Sequence, residues 1–332
     1  MGGPVRVSDI LPGDIILFEG DDSSIDEAIR LLSGSAITHA ALCYREGVLA
    51  DAGPTGIALH SLTDAPGDKD ARVIHLRRLP VAAQSPQPVL DAASQVLSEH
   101  DSFDYSGMVL VGLLLLYKKE APSSWVSRCA LAFLKRLAKR LDQLIQELAH
   151  PSQHPMFCSE FVFTCFQNAA NKDPAYGLPI VNGALSAAPA CRDTLLQRAT
   201  RLAAAQPFAS APALVQESPD SAAVMDDELV ARLVDALRGY AGDEAGEPPE
   251  SDIVESVCAF DHSMRRLAGG TKADPKRLFL AQQEPFFVTP GDLADHCPKL
   301  QRFDPQNFQV KRGKDNLPGD ATDGTLALRS AR

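Results

Sequence analysis

The sequence predicts an α+β fold, a small sheet with helices gathered around it. Three observations carry this expectation. Short apolar runs bounded by turn residues cluster within positions 1–106, and segments with helical spacing occupy most of the remaining chain. No strand–helix–strand repeat or solenoid period runs through the 332 residues. That length admits two average domains or one domain with insertions. With 45% hydrophobic and 23% charged residues, the chain can bury a sizeable core.

Taken in order, Asp14 to Phe18 follows the turn Leu11-Pro12-Gly13 and predicts a buried strand. Ser24 to Leu32 repeats apolar residues at helical spacing (Ile25, Ala28, Ile29, Leu32) behind a Ser/Asp start. His39 to Tyr44 and Gly47 to Ala52 predict two strands joined at Arg45-Glu46-Gly47, and Arg72 to Leu76 a further strand. Pro88 to Glu99 predicts a helix, with proline tolerated in its first turn. An apolar run from Gly107 to Tyr117 then leads through Pro122 into a long amphipathic helix, Ser124 to Leu148. Its apolar positions are Trp125, Leu131, Leu134, Leu137, Leu141, Leu144, Ile145 and Leu148. Phe157 to Ala170 is a compact apolar helix, and Ala203 to Val224 an Ala/Pro/Ser-rich linker. Two helices come next, Asp227 to Tyr240 and Asp252 to Leu267. Phe286 to Leu293 predicts a strand entering a helix with Pro290 in its first turn, and the tail after Lys311 is polar and expected to be disordered.

Charge is unevenly placed. The net charge of −11 argues against a general nucleic-acid binder, which needs a cationic surface to displace counterions from phosphates. Residues 118–140 carry seven basic side chains against Glu120 alone, whereas Glu217 to Glu255 carries twelve acids against Arg232 and Arg238. The first thirty residues are rich in acids and lack an apolar h-region, so no secretory signal peptide is expected and the chain is read as cytoplasmic when made. The run Met108 to Tyr117 is too short to cross a bilayer as a helix. Seven cysteines, with no CxxC pair, fit a reducing compartment.

Neither HExxH, a P-loop, a dinucleotide-binding glycine loop nor a GxSxG elbow occurs, and His296-Cys297 lacks metal spacing. No metal or organic cofactor is expected. Nucleophilic catalysis remains. Cys158 lies where the extended His154-Pro155-Met156 turns into a helix. A thiol at a helix N-terminus meets the positive end of the macrodipole, which favours the reactive thiolate. Free N–H groups there can also hold an oxyanion. Cys165, further along the same helix, reads as a packing residue. A reactive cysteine needs a base, and the base needs an orienter. His39 begins a predicted strand, and Asp51, twelve residues later on the next, can be brought beside it by hairpin pairing. Each has a bland alternative, His39 donating to a turn carbonyl and Asp51 capping the Gly53-Pro54 turn. His60 is a rival third member, read as following a strand that points elsewhere.

Six segments occur in a telling order: Pro12-Gly13-Asp14-Ile15-Ile16, Thr38-His39-Ala40-Ala41-Leu42, Leu49-Ala50-Asp51-Ala52, Phe103-Asp104-Tyr105, Phe157-Cys158-Ser159-Glu160-Phe161-Val162 and Thr289-Pro290-Gly291-Asp292-Leu293. They resemble the circularly permuted branch of the NlpC-type papain-like superfamily, close to YiiX-like proteins and related to lecithin:retinol acyltransferase-like enzymes. The resemblance covers residues 10–170 in patches and 286–303. It implies a permuted papain-like fold, a small antiparallel sheet packed on the nucleophile helix, with His39 as base, Cys158 as nucleophile and a polar residue on the next strand as orienter. That orienter is often Glu or His in the family, so Asp51 is a shorter substitute. Phe103 to Val109 also echoes the nucleophile motif of the unpermuted peptidases with Tyr105 in the cysteine's place. A degenerate unpermuted site is the alternative to Tyr105 lining the cleft.

The implied organisation is a catalytic domain over 1–203 with an apolar and basic insertion at 107–153. A linker and acidic helical insertion cover 204–282, a returning segment 283–306 and a tail 307–332. Enzymes of this kind act on acyl bonds, in wall peptides or in lipids. The insertion favours a lipid acyl ester and a membrane-surface partner contacted through 107–148, since it offers apolar area together with cations for anionic headgroups. The alternative is that this helix packs on the protein's own core with its basic face on the acidic helices 227–267. A peptidoglycan amidase or endopeptidase with the same residues is the second reading, and a catalytically silent binding module the third. A secreted bacterial effector with a carrier or immunity partner is one setting consistent with a missing signal peptide.

Overall fold

In the computed structural model of the chain, residues 9–21, 23–53, 56–62, 72–99, 106–117, 124–147, 156–184, 194–205, 225–239, 247–267, 288–303 and 306–308 are described. The expectations placed on Tyr105, on His154-Pro155, on most of the linker and on the tail lie outside them.

The fold is α+β. Strands β1 (Ile15–Glu19), β2 (Ile37–Arg45), β3 (Val48–Gly53), β4 (Gly56–Ser61) and β5 (Arg72–Arg78) form a sheet in the order β4-β3-β2-β1-β5. Two short strands, β6 (Gln301–Arg302) and β7 (Gln306–Phe308), both pair with β5. Every pairing among the described residues is antiparallel. Both faces of the central strands are covered, which is why β1 and most of β2 read as unbroken apolar runs rather than alternating ones.

On one face, Ile15, Leu17, Ala40, Leu42 and Ala50 pack against α6 (Cys158–Ala170), with α3 (Gln87–Glu99) beside it. Between β5 and α3 lies the five-residue α2 (Pro80–Gln84). On the opposite face, Ile16, Phe18, Ala41, Cys43, Leu49, Ile74 and Leu76 form a second cluster. The turn before β1 is built by Gly13, at φ +88°, and by Asp14, whose carboxylate accepts from Leu11 N (2.7 Å) and pairs with Arg78 (2.6 Å). This Pro-Gly-Asp segment is structural. So is its counterpart ahead of α10 (Pro290–Asp295), where Thr289 and Asp292 cap the helix reciprocally and Asp292 also accepts from Ala184 N (2.7 Å). Helix α10 packs on β2, β5 and α6.

A third cluster is helical and contains α1 (Ser24–Ser33), α4 (Ser106–Tyr117), α5 (Ser124–Glu147), α7 (Leu195–Ala205), α8 (Met225–Leu237) and α9 (Glu250–Leu267). Helix α4 is apolar on every side, as a helix surrounded by others must be, and Val109, Leu110, Val111 and Leu113 to Leu116 are all buried. On α5, Leu131, Leu134, Leu137 and Leu141 are buried and Ile145 is half-buried; the Trp125 and Leu144 side chains and Leu148 lie outside the described residues. Leu131, Leu134, Leu137 and Leu141 share one cluster with a stripe of Ile253, Val257, Phe260 and Met264 along α9. Ion pairs Lys135–Glu255 and Arg266–Asp142, both 2.7 Å, flank the contact. Helix α5 thus packs its apolar face on α9 and α8 inside the protein; Lys135–Glu255 joins a base of α5 to an acid of α9, whereas Arg266–Asp142 runs the other way, from a base of α9 to an acid of α5. The stretch 195–205, assigned no element from sequence, forms α7, which packs on α9 and α4. No helix among the described residues is long and apolar enough to cross a membrane.

Candidate functional site

The site gathers around the start of β2. Opposite Phe18 and Glu19 the pairing of β1 with β2 slips by one residue, so that Phe18 faces His39 and Glu19 faces Ile37, leaving Thr38 as the extra residue of a bulge. Phe18 and His39 share a face, and their ring centroids lie 5.6 Å apart at 47°.

The β2–β3 hairpin brings Asp51 to His39, with Asp51 Oδ2 2.7 Å from His39 Nε2. Both residues are nearly enclosed, His39 at 7% and Asp51 at 5% exposure, so their interaction is little screened by water. The hydrogen bond engages Nε2 and fixes the imidazole's orientation.

His60 needs a correction. It does not follow a strand that points elsewhere but lies within β4, a strand that the sequence pattern does not predict. The β3–β4 register pairs Asp51 with Ala58 and Leu49 with His60, so His60 is the diagonal neighbour of Asp51 on the same face. Its Nε2 stands 2.9 Å from Asp51 Oδ1, within ion-pair reach though off the line of a well-formed hydrogen bond. Burial by itself raises the Asp51 carboxyl, but hydrogen bonding to His39 and His60 and the charge of both imidazoles overturn this, holding it well below the ordinary carboxylate range.

Cys158 is the first residue of α6, preceded by Phe157 in an extended conformation (φ −91°, ψ 167°). Glu160 Oε2 accepts from Phe157 N (3.3 Å), the returning half of a capping box, and Ser159 Oγ donates to Val288 O (2.7 Å), tying the helix start to the segment before α10. The thiol is 6% exposed and lies 4.0 Å from the carbonyl oxygen of Thr38, the bulge residue immediately before His39. The chain thus brings Cys158 to the backbone beside His39 across a separation of 120 residues. Burial pushes the other described thiols up: Cys165, Cys129, Cys258, Cys297 and Cys43, the last to about 12. These five are held as thiols, which fits the packing role expected for Cys165.

No group of three or more His, Cys, Asp or Glu side chains suited to a metal ion occurs among the described residues. Comparison of the chain with protein-family models, with curated proteins and with solved structures finds no match.

Proposed function

We propose that this chain is a cysteine-dependent acyl hydrolase or acyltransferase on a circularly permuted papain-like fold, with lipid acyl esters as its substrates. One observation carries the reading: a cysteine that opens a helix lies 4.0 Å from the carbonyl oxygen of Thr38, the residue immediately before a histidine whose Nε2 is held by a buried carboxylate 2.7 Å away. The order of the elements supports the permuted form, since the strand bearing His39 precedes the helix bearing Cys158 and that helix packs on the antiparallel sheet.

In this mechanism His39 Nδ1 takes the proton of Cys158, and the resulting imidazolium is stabilised by Asp51 through Nε2. The thiolate adds to the ester carbonyl, and the N–H groups at the start of α6 stabilise the oxyanion. Collapse breaks the bond to the alcohol oxygen, which leaves with the proton held on His39. An acyl-thioester on Cys158 remains. Water, or an acceptor alcohol or amine, then gives its proton to His39 and attacks the thioester, releasing the acid or the transferred acyl product and returning the proton to sulfur.

A second reading is favoured by a specific observation. The apolar sides of α4 and α5 are covered by α1, α8 and α9, so the surface that motivated a lipid substrate is enclosed, and a wall-peptide amide requires no such surface. The experiment is product analysis by mass spectrometry after incubation with phospholipid vesicles and, separately, with purified cell-wall sacculi, with Cys158→Ala as the blank. Fatty acids or lysophospholipids formed only by the parent are the expected result. Released muropeptides establish the peptidase instead, and identical behaviour of parent and Cys158→Ala on both substrates overturns thiol catalysis.

A further inference from the structure

We propose that His60 is a positioning residue for this site, gripping the second oxygen of Asp51 so that the first stays on His39. The inference rests on the Cys158–His39 reading and deepens it. The Asp51 carboxylate turns about a soft, roughly two-fold terminal torsion, so a single partner on Oδ2 leaves its plane weakly determined. Contacts on both oxygens, 2.7 Å to His39 and 2.9 Å to His60, define that plane. The sheet enforces the arrangement, because the diagonal register of β3 and β4 allows a residue two positions from Ala58 to reach over Asp51. His60 Nδ1 is buried with no hydrogen-bond partner among the described residues, so Nε2, 2.9 Å from Asp51 Oδ1, is the ring nitrogen that faces a partner, in ion-pair contact rather than in a well-aligned hydrogen bond.

Among the described residues, β2 is flanked by α1, whose Asp26 lies beside Thr38, and by α10, which carries Asp292 and Asp295. Strand β4 pairs with β3, which offers Asp51 and, beyond it, His39 of β2. Helix α4, which packs on β3, carries no charged side chain and only Tyr117 as a titratable one. Helix α6 brings Cys158 and Glu160 at its start.

The test reads the thiol directly and needs no substrate. Alkylation of Cys158 in the full chain by chloroacetamide is followed against pH, the modified peptide being quantified by mass spectrometry, in the parent, His39→Ala, His60→Asn and His60→Gln. The glutamine amide nitrogen reaches nearly the position of Nε2, whereas the asparagine amide stops short of it. Loss of this orienting polar contact predicts roughly three- to tenfold slower alkylation near neutral pH in His60→Asn. The midpoint should rise by roughly half to one pH unit, with His60→Gln returning towards the parent. If both His60 variants superimpose on the parent while His39→Ala does not, the role of His60 is refuted and the site stands. The same holds if asparagine and glutamine act alike. If His39→Ala itself superimposes on the parent, the underlying reading of the site falls.

Discussion

Gly112 of α4 marks the point where three helices meet. A Cβ built there falls 2.7 Å from Phe260 Cζ of α9 and 3.0 Å from Leu137 Cδ2 of α5. Gly112→Ala therefore sets two effects against each other. Replacing glycine by alanine inside a helix stabilises by roughly 0.8–1 kcal/mol. Forcing a methyl group against a fully buried ring costs roughly 1–3 kcal/mol, so the net change is a destabilisation of up to roughly 2 kcal/mol. Phe260→Ala alone removes a ring with no exposed surface and costs about 3–5 kcal/mol. Once the ring is gone the methyl has space, Leu137 needing to shift only its flexible end, and Gly112→Ala becomes neutral or stabilising by up to about 1 kcal/mol. Urea unfolding of the parent, both single variants and the double variant closes a cycle whose coupling energy is expected at roughly 1–3 kcal/mol. Equal destabilisation by Gly112→Ala in both backgrounds would mean that Phe260 is not seated on α4. Helix α9 would then not cover the apolar insertion.

Two further predictions concern Asp51. Asp51→Asn keeps the side chain's shape but removes the charge that stabilises the His39 imidazolium, and is expected to lower kcat by roughly 10²- to 10⁴-fold with the circular dichroism spectrum unchanged. It also gives a pH signature. The carboxyl is depressed in the folded protein relative to the unfolded chain, so its stabilisation is fully present above the unfolded value near 3.9 and is lost as pH falls towards the folded one. The stability gap between parent and Asp51→Asn, measured by urea unfolding, is therefore expected to shrink progressively as pH falls below about 4. A gap that stays unchanged between about pH 4 and about pH 2 would contradict the assignment.

The parts of the fold legible in the sequence are those that local rules dictate. A turn at Arg45-Glu46-Gly47 between two apolar runs dictates a hairpin, and a hairpin brings residues such as His39 and Asp51 together. In the sequence, Pro155 two residues ahead of Phe157 marks where a helix is expected to begin, and α6 does begin at Cys158. His60 escapes such reasoning because Gly56-Ile57-Ala58-Leu59-His60-Ser61 shows no clean alternation, and whether an edge strand's residue faces a site depends on a register that a shift of one residue inverts. Helix α4 poses another difficulty, since an unbroken apolar run states that it is buried but not by what. Its partners are α1 before it and α5, α7 and α9 after it, and only the tertiary fold assembles them. The Ala-rich stretch around Arg198 to Ala205 shares its composition with the linker after it, which hides α7.

The topology also explains why the candidate nucleophile opens its helix. Helix α6 lies on the sheet face of Ala40, Leu42 and Ala50 and presents Phe161, Val162 and Cys165 to it. His39, Asp51 and His60 belong to the alternate positions, on the face of Phe18, Ala41 and Leu49. A side chain from the body of α6 meets the wrong face of β2, and Cys165 accordingly sits in the core with its thiol pushed up by burial. A thiol can approach His39 only at the end of the strand, and there the bulge at Thr38 interrupts the regular pairing and sets its carbonyl against Cys158. The first residue of α6 is thus the point of that helix that reaches the end of β2 beside His39. A cysteine transplanted to position 162, one turn along the same helix, is therefore expected to show neither rapid alkylation nor any dependence on His39.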